Sequence, residues 1–266
     1  MFFSFFSRSR IKEVGVIAAV FLGAILSAFY PVRVHAAPGW GMGIECEPHP
    51  PWKNDTRVFL DIAIDGLPAG RMVWRMLKSA PRTAENFRHF ARGVTIGGRF
   101  FHYTNTSFHK ILPGFVAQGG SLFGDDTVTE TISIYGDVFK NEASTISTCY
   151  HTKRGLLSMA NVGPGTNGCH FFITFEPAPW LNGRHPVFAE MEEGDEVLNL
   201  IEEVGTLGGN PTSDVRIVKS GEILEDGTVV TDPLELPHAN MCGDGSKFQG
   251  ICADPNPNEG NDPVLW

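Results

Sequence analysis

The chain has 266 residues, 42% hydrophobic and 11% aromatic with 20 phenylalanines, enough for one or two domains with a sizeable core and too apolar for a disordered chain. Its formal charge of −9 excludes the usual nucleic-acid binder, which needs clustered lysines and arginines to neutralise phosphates. An acidic balance of this kind mainly serves solubility.

Residues 1–37 read as a targeting segment. Arg8, Arg10 and Lys12 form a basic front, Val14 to Tyr30 is nearly free of polar groups, and Val34-His35-Ala36 offers small residues where a signal peptidase cuts. That is the pattern of a secretory signal. The apolar run is at the lower edge of spanning length, so an uncleaved signal anchor is the alternative, and membrane contact is expected only if the segment is retained. A mitochondrial presequence fits less well, because the apolar block is continuous rather than amphipathic. Localisation in the endoplasmic reticulum lumen, outside the cell, or on the lumenal side of a membrane follows.

Residues 38–56, rich in Pro, Gly and Trp without periodicity, predict a linker. Val58 to Asp65 alternates apolar and polar, Gly66 to Gly70 turns with Pro68 in the loop, and Arg71 to Leu77 alternates again, predicting a hairpin. A helix is expected next. Ala80-Pro81 sets its start, Phe87, Phe90 and Ala91 repeat at helical spacing, and Gly93 ends it.

Residues 108 to 120, FHKILPGFVAQGG, predict two short strands joined at Pro113-Gly114. Alternation along the strands brings Lys110, Phe115 and Gln118 to one surface, joining a cation, an aromatic ring and an amide. The plainer reading is a buried hairpin whose Lys and Gln point to water.

Ser121 to Ser133, with Asp125, Asp126 and Glu130, reads as an exposed loop. Leu156 to Ala160 and His170 to Phe175 are compact apolar strands around NVGPGTNGC, whose Gly, Pro and Asn forbid regular structure. Val187 to Glu190 predicts a strand, Glu193 to Glu203 a second helix, and Val215 to Lys219 a last strand. Residues 224–266 predict an irregular tail. Many short strands with two helices and no parallel crossover pattern predict a mainly β protein, a closed β-barrel with helices over its ends.

Asn54-Asp55-Thr56 and Asn105-Thr106-Ser107 are glycosylation sequons. The five cysteines, Cys46, Cys149, Cys169, Cys242 and Cys252, suit an oxidising compartment. Cys242 and Cys252 close a short loop and are the first choice for a disulfide. The odd count leaves at least one thiol free or paired with another chain. Their spacing fits no zinc pattern, and residues 254 to 262 lack the sixth-position glycine and the closing glutamate of a calcium loop, so no metal is expected.

In order along the chain stand VFLDIAIDGLPAGR from Val58, TAENFR at 83 to 88, FHKILPGFVAQGG, SIYG at 133 to 136, LLSMANVGPGTNG at 156 to 168, FFIT at 171 to 174, WLNGRHPVF at 180 to 188 and SGEI at 220 to 223. Together they resemble the cyclophilins, the barrel-type peptidyl-prolyl isomerases, over residues 57–223. The resemblance implies an eight-stranded antiparallel barrel capped by two α-helices, a groove on its outer face, and no cofactor. It places Phe115, Val116, Gln118, Ala160, Asn161, His170, Phe172, Trp180, Leu181 and His185 along that groove. Phe115, Phe172 and Leu181 hold a substrate proline ring, while Gln118 and the backbone of Asn161 hold the flanking peptide. Lys110, Phe115 and Gln118 carry catalysis.

The chain departs from the family's pattern at several of these positions. Lys110 stands where the family has arginine, Val116 where it has methionine, and His170 where it has glutamine. TVTET at 127 to 131 replaces a glycine-rich loop. Lys110 predicts weakened but retained activity, and the acidic loop a preference for basic peptides. The implied partners are proline-containing segments of client proteins and, through Trp180, cyclosporin. Two functions fit: a folding isomerase of the secretory pathway, or a binding module that keeps the groove with residual catalysis.

Overall fold

The computed structural model describes residues 56–124, 131–234 and 236. The first hairpin pairs β1 (Arg57–Ile64) with β2 (Leu67–Met76). Its turn is only Asp65-Gly66, both with positive φ, the backbone twist that a two-residue hairpin turn requires. Pro68 therefore lies inside β2 rather than in the loop, opposite Ala63 where the register shifts, since a bulge tolerates a residue with no N–H to give.

Helix α1 (Pro81–Arg92) starts with proline in its first turn and is followed by Gly93. Its first amides have no partner within the helix. Glu142 supplies one from a distance, taking the N–H groups of Arg82 at 2.9 Å and Thr83 at 3.0 Å, where a negative charge suits the helix dipole. A small ribbon of β3 (Val94–Ile96) and β4 (Arg99–Phe101) follows.

The central hairpin is β5 (Lys110–Leu112) and β6 (Val116–Gly119). The Phe115 N–H donates to the Leu112 carbonyl at 3.0 Å, and Gly114 has φ 72. A Pro-Gly turn of this form needs the conformation that glycine adopts without steric cost. Beyond the short α2 (Ala143–Thr148) come β7 (Leu156–Met159), β8 (Phe171–Thr174), β9 (Val187–Glu193), α3 (Asp195–Glu203), β10 (Val215–Ile223) and β11 (Val229–Val230).

The fold is mainly β. Nine strands form one antiparallel sheet in the order β11-β10-β1-β2-β9-β7-β8-β6-β5. The sheet is strongly curled into a half-barrel. The segment leading into β5 returns to β10, where Asn105 N–H donates to the Ile217 carbonyl at 2.7 Å and Phe108 N–H to that of Val215 at 2.9 Å. The strand pairing is thus an open order of nine with a separate two-stranded ribbon, where an eight-stranded ring was expected.

Three α-helices lie among the described residues rather than two. The extra one, α2, has a single buried side chain, Thr145, and so no apolar periodicity to betray it. The tail also departs from expectation, because β11 pairs with Glu222 and Ile223.

The core fills the concave side of the sheet. Ile111, Ala117, Ile173, Leu157 and Ala189 stand opposite one another on successive strands and are all buried. Helix α1 adds Phe87, whose ring lies 5.0 Å from both Tyr103 and Phe171. No helix among the described residues is long and apolar enough to cross a membrane. Residues 1–37 lie outside the described residues.

Candidate active site

The same register that buries Ile111, Ala117 and Ile173 turns their neighbours outward. Directly paired residues share a face, and Lys110 pairs with Gln118, Gln118 with Phe172, and Phe172 with Ser158. One row across four strands thus carries the cation, the amide and an aromatic ring. Lys110 stands two strands from Phe172, roughly 10 Å between backbones.

Beside this row Val116, Ala160 and Phe172 form a buried apolar cluster separate from the main core, with Phe115 and Leu181 packed on it. Val116 faces out of β6 two residues from Gln118. Phe115 is aimed by the Pro-Gly turn, and its ring lies 5.8 Å from that of Trp180. Trp180 and Leu181 come from a single helical turn, Pro179–Leu181, which leaves Trp180 60% exposed. An apolar slot with an aromatic lip results.

His185 forms another wall, edge-on to Phe172 with ring centroids 5.6 Å apart. Its Nδ1 lies 3.0 Å from the Met159 carbonyl, to which it donates as Nδ1–H, so Nε2 is the nitrogen left without a proton. Burial lowers its pKa, which keeps the ring neutral at pH 7 and fits a wall better than a proton donor.

The Asn161 side-chain amide is already engaged, donating to Asn167 Oδ1 at 3.0 Å and to the Arg184 carbonyl at 3.1 Å. Its amide N–H groups are therefore not available to a ligand, whereas its backbone is not tied up by these bonds. Gln118 Nε2 lies 3.2 Å from His109 Nε2, which orients the amide on the row. His170 is fully enclosed instead of standing at the surface of the groove. Its Nδ1 is 3.6 Å from Cys169 Sγ and its ring is edge-on to His109 at 5.9 Å. Its ring contact with His109, which in turn reaches Gln118, links it to the row.

Three further residues, His151, Asn182 and Ser158, stand behind the site and are not among those expected there. His151 is buried and lies parallel to Phe172, with centroids 5.8 Å apart and 16° between planes. Its backbone N–H and its Nδ1 reach Asn182 Oδ1 at 2.8 and 3.0 Å, and its Nε2 is 3.0 Å from Ser158 Oγ. Ser158 also donates to the Pro186 carbonyl at 3.1 Å. Burial pushes the His151 pKa down to about 4. The one hint was Ser158 itself, a hydroxyl inside the apolar run LLSMA.

Other expected features fall elsewhere. Asn105 is exposed, on a turn with φ 72. Cys149 and Cys169 are buried. Asn54, Cys46, Cys242, Cys252, Asp125, Asp126 and Glu130 lie outside the described residues. Among the described residues no cluster of side chains suits a metal ion. A small cleft opens between the end of β2 and α1, with Lys78, Glu85 and Arg88 along it, but Glu85 and Arg88 are bonded to each other at 2.6 Å and it offers no comparable array.

A mainly β domain with an apolar slot and a polar rim has the form of a binding site for a partly apolar ligand. The family model described as cyclophilin type peptidyl-prolyl cis-trans isomerase/CLD matches residues 59–222, from the third residue of β1 to the penultimate residue of β10. The chain belongs to this family of peptidyl-prolyl isomerases.

Proposed function

We propose that this chain is a secretory-pathway peptidyl-prolyl isomerase that acts on proline-containing client proteins with a lysine as its catalytic cation. One observation carries the reading. The Phe115, Val116, Ala160, Phe172 and Leu181 cluster stands on the strand face that also holds Lys110 and Gln118.

Rotation about an Xaa-Pro bond must overcome about 18–20 kcal/mol of amide resonance. A catalyst needs no covalent step, only tighter binding of the twisted bond than of either planar form. The slot clamps the proline ring while the preceding carbonyl swings. Twisting also returns a lone pair to the proline nitrogen, and Lys110 donates a hydrogen bond to it as conjugation is lost. Gln118 and the Asn161 backbone hold the flanking peptide. Neutral His185 closes the wall without moving a proton.

Arginine offers a planar fork that addresses nitrogen and carbonyl together, whereas lysine presents a hydrated point charge on a flexible stem. Lys110 therefore gives slower turnover than arginine in the same slot. Lys110→Arg is expected to raise kcat/KM on an Xaa-Pro peptide about tenfold, equivalent to roughly 1.4 kcal/mol of transition-state stabilisation. An arginine variant no faster than the wild type removes the cation from the rate-determining step.

A second reading is favoured by Lys110 and by TVTET in place of the glycine-rich loop: the chain binds proline peptides and cyclosporin at this slot while turning over little. Binding without exchange in both proteins selects it. The bonds between residues 105–108 and β10 read as the seam of a closed barrel. Residues 1–37 read as the export signal, and exposed Asn105 as a glycosylation site.

A further inference from the structure

Lys110 has a neighbour on the side away from the slot. The turn Thr206–Gly209 lies along the free edge of β5, where Ile111 N–H donates to the Gly209 carbonyl at 2.7 Å and Thr206 N–H to the Ile111 carbonyl at 3.1 Å. The turn closes on itself, with Gly209 N–H donating to the Thr206 carbonyl at 3.0 Å and Thr206 Oγ1 to that of Asn210 at 2.8 Å. Gly209 has φ +89, and a β-carbon there would stand 3.1 Å from Lys110 Cγ and 3.4 Å from its Cε. The alkyl stem of Lys110 thus lies along the Gly209 backbone from its second carbon to its last.

We infer that Gly209 is a positioning residue for Lys110, a side-chain-free shelf that confines the lysine stem and holds its ammonium on the row shared with Gln118 and Phe172. The inference rests on the isomerase reading and explains how a lysine serves there. An arginine fork is pre-organised by its own planarity, whereas a lysine stem loses its freedom only against a neighbouring surface. Contact along Cγ and Cε removes rotamers that point the charge into water. A methyl group at position 209 fills that space, and the stem, 3.1 Å away at Cγ, has to give by a few tenths of an ångström and lose its fit to the shelf.

The test is a cycle in the full chain on an Xaa-Pro peptide, with thermal unfolding followed throughout. Gly209→Ala is expected to lower kcat about tenfold with little change in KM. In a Lys110→Ala background it should cause no further loss. Gly97→Ala, at a glycine of φ +56 with nothing around it, controls for backbone strain and should leave kcat alone. Thr206→Val loosens the turn without adding an atom beside Lys110, and should show a smaller loss that again vanishes without Lys110. Equal losses in both backgrounds, or wild-type kcat in Gly209→Ala, overturn the inference.

A second readout does not depend on turnover. After reductive ¹³C-methylation, the Lys110 resonance, assigned by its disappearance in Lys110→Arg, should move in Gly209→Ala and stay in Gly97→Ala. An unmoved resonance overturns the shelf. A moved resonance in a protein without isomerase activity keeps the shelf and rejects the isomerase reading.

Discussion

His151 shows how one buried side chain serves the slot without touching a ligand. It backs Phe172 as a parallel ring while Asn182 and Ser158 hold its two nitrogens, so the aromatic floor is braced from behind. Burial holds its pKa near 4 in the folded protein, against about 6.5 in the unfolded chain. The folded pKa is lowered, so this stabilisation is complete above pH 6.5 and is lost as pH falls toward 4, at about 1.4 kcal/mol per unit. His89, His102 and His185 are shifted the same way by burial. Thermal unfolding between pH 7 and 5 should show a falling Tm, and His151→Gln should flatten the slope. A variant with the wild-type slope would mean that His151 is not the group being titrated.

At the level of elements, the hairpin of β5 and β6 depends on α3 as well as on its own turn. Glu202 of α3 accepts the Gly114 N–H at 2.7 Å and pairs with Arg154 at 2.6 Å, and Arg154 also reaches Asp195 at 2.7 Å and Asn199 at 2.6 Å. The turn that aims Phe115 is thereby tied to a helix some ninety residues later in the chain. These groups are partly solvated, so each bond contributes modestly. Glu202→Ala should lower stability in urea by about 1 kcal/mol, and Glu202→Gln, which keeps an acceptor for Gly114, by about half of that. Equal effects from the two variants would assign the stabilisation to the charge alone.

Across the whole molecule, part of the tail belongs to the domain. β11 covers the edge of β10, Arg92 Nε donates to the Asp232 carbonyl at 2.9 Å, and Leu234 N–H donates to the Gly93 carbonyl at 2.9 Å. Leu236 packs on the core. Truncation after Ile223 removes all of this and bares a strand edge. It should cost roughly 3 kcal/mol in denaturant unfolding, from several net hydrogen bonds of about 1 kcal/mol each. Truncation after Leu236 should cost little. Equal stability of the two truncations would separate residues 224–236 from the fold.

Much of this was legible in the chain. Alternation placed Val58 to Asp65 in a strand, a compact apolar run did the same for Leu156 to Ala160, helical spacing with Pro81 and Gly93 bounded α1, and Pro113-Gly114 marked the central turn. Each is a local property, fixed by φ/ψ preference and side-chain period within about ten residues. The neighbours of a side chain across the sheet were not local. Register between β6 and β8, more than fifty residues apart in sequence, is what puts Gln118 beside Phe172. Packing on that same face enclosed His170 and brought His151 behind the slot. Sequence by itself determined the elements and the kinds of side chain available for chemistry. Tertiary structure decided which of them share a face, because non-local hydrogen-bond register and burial set those contacts and neither is written in any short stretch of chain.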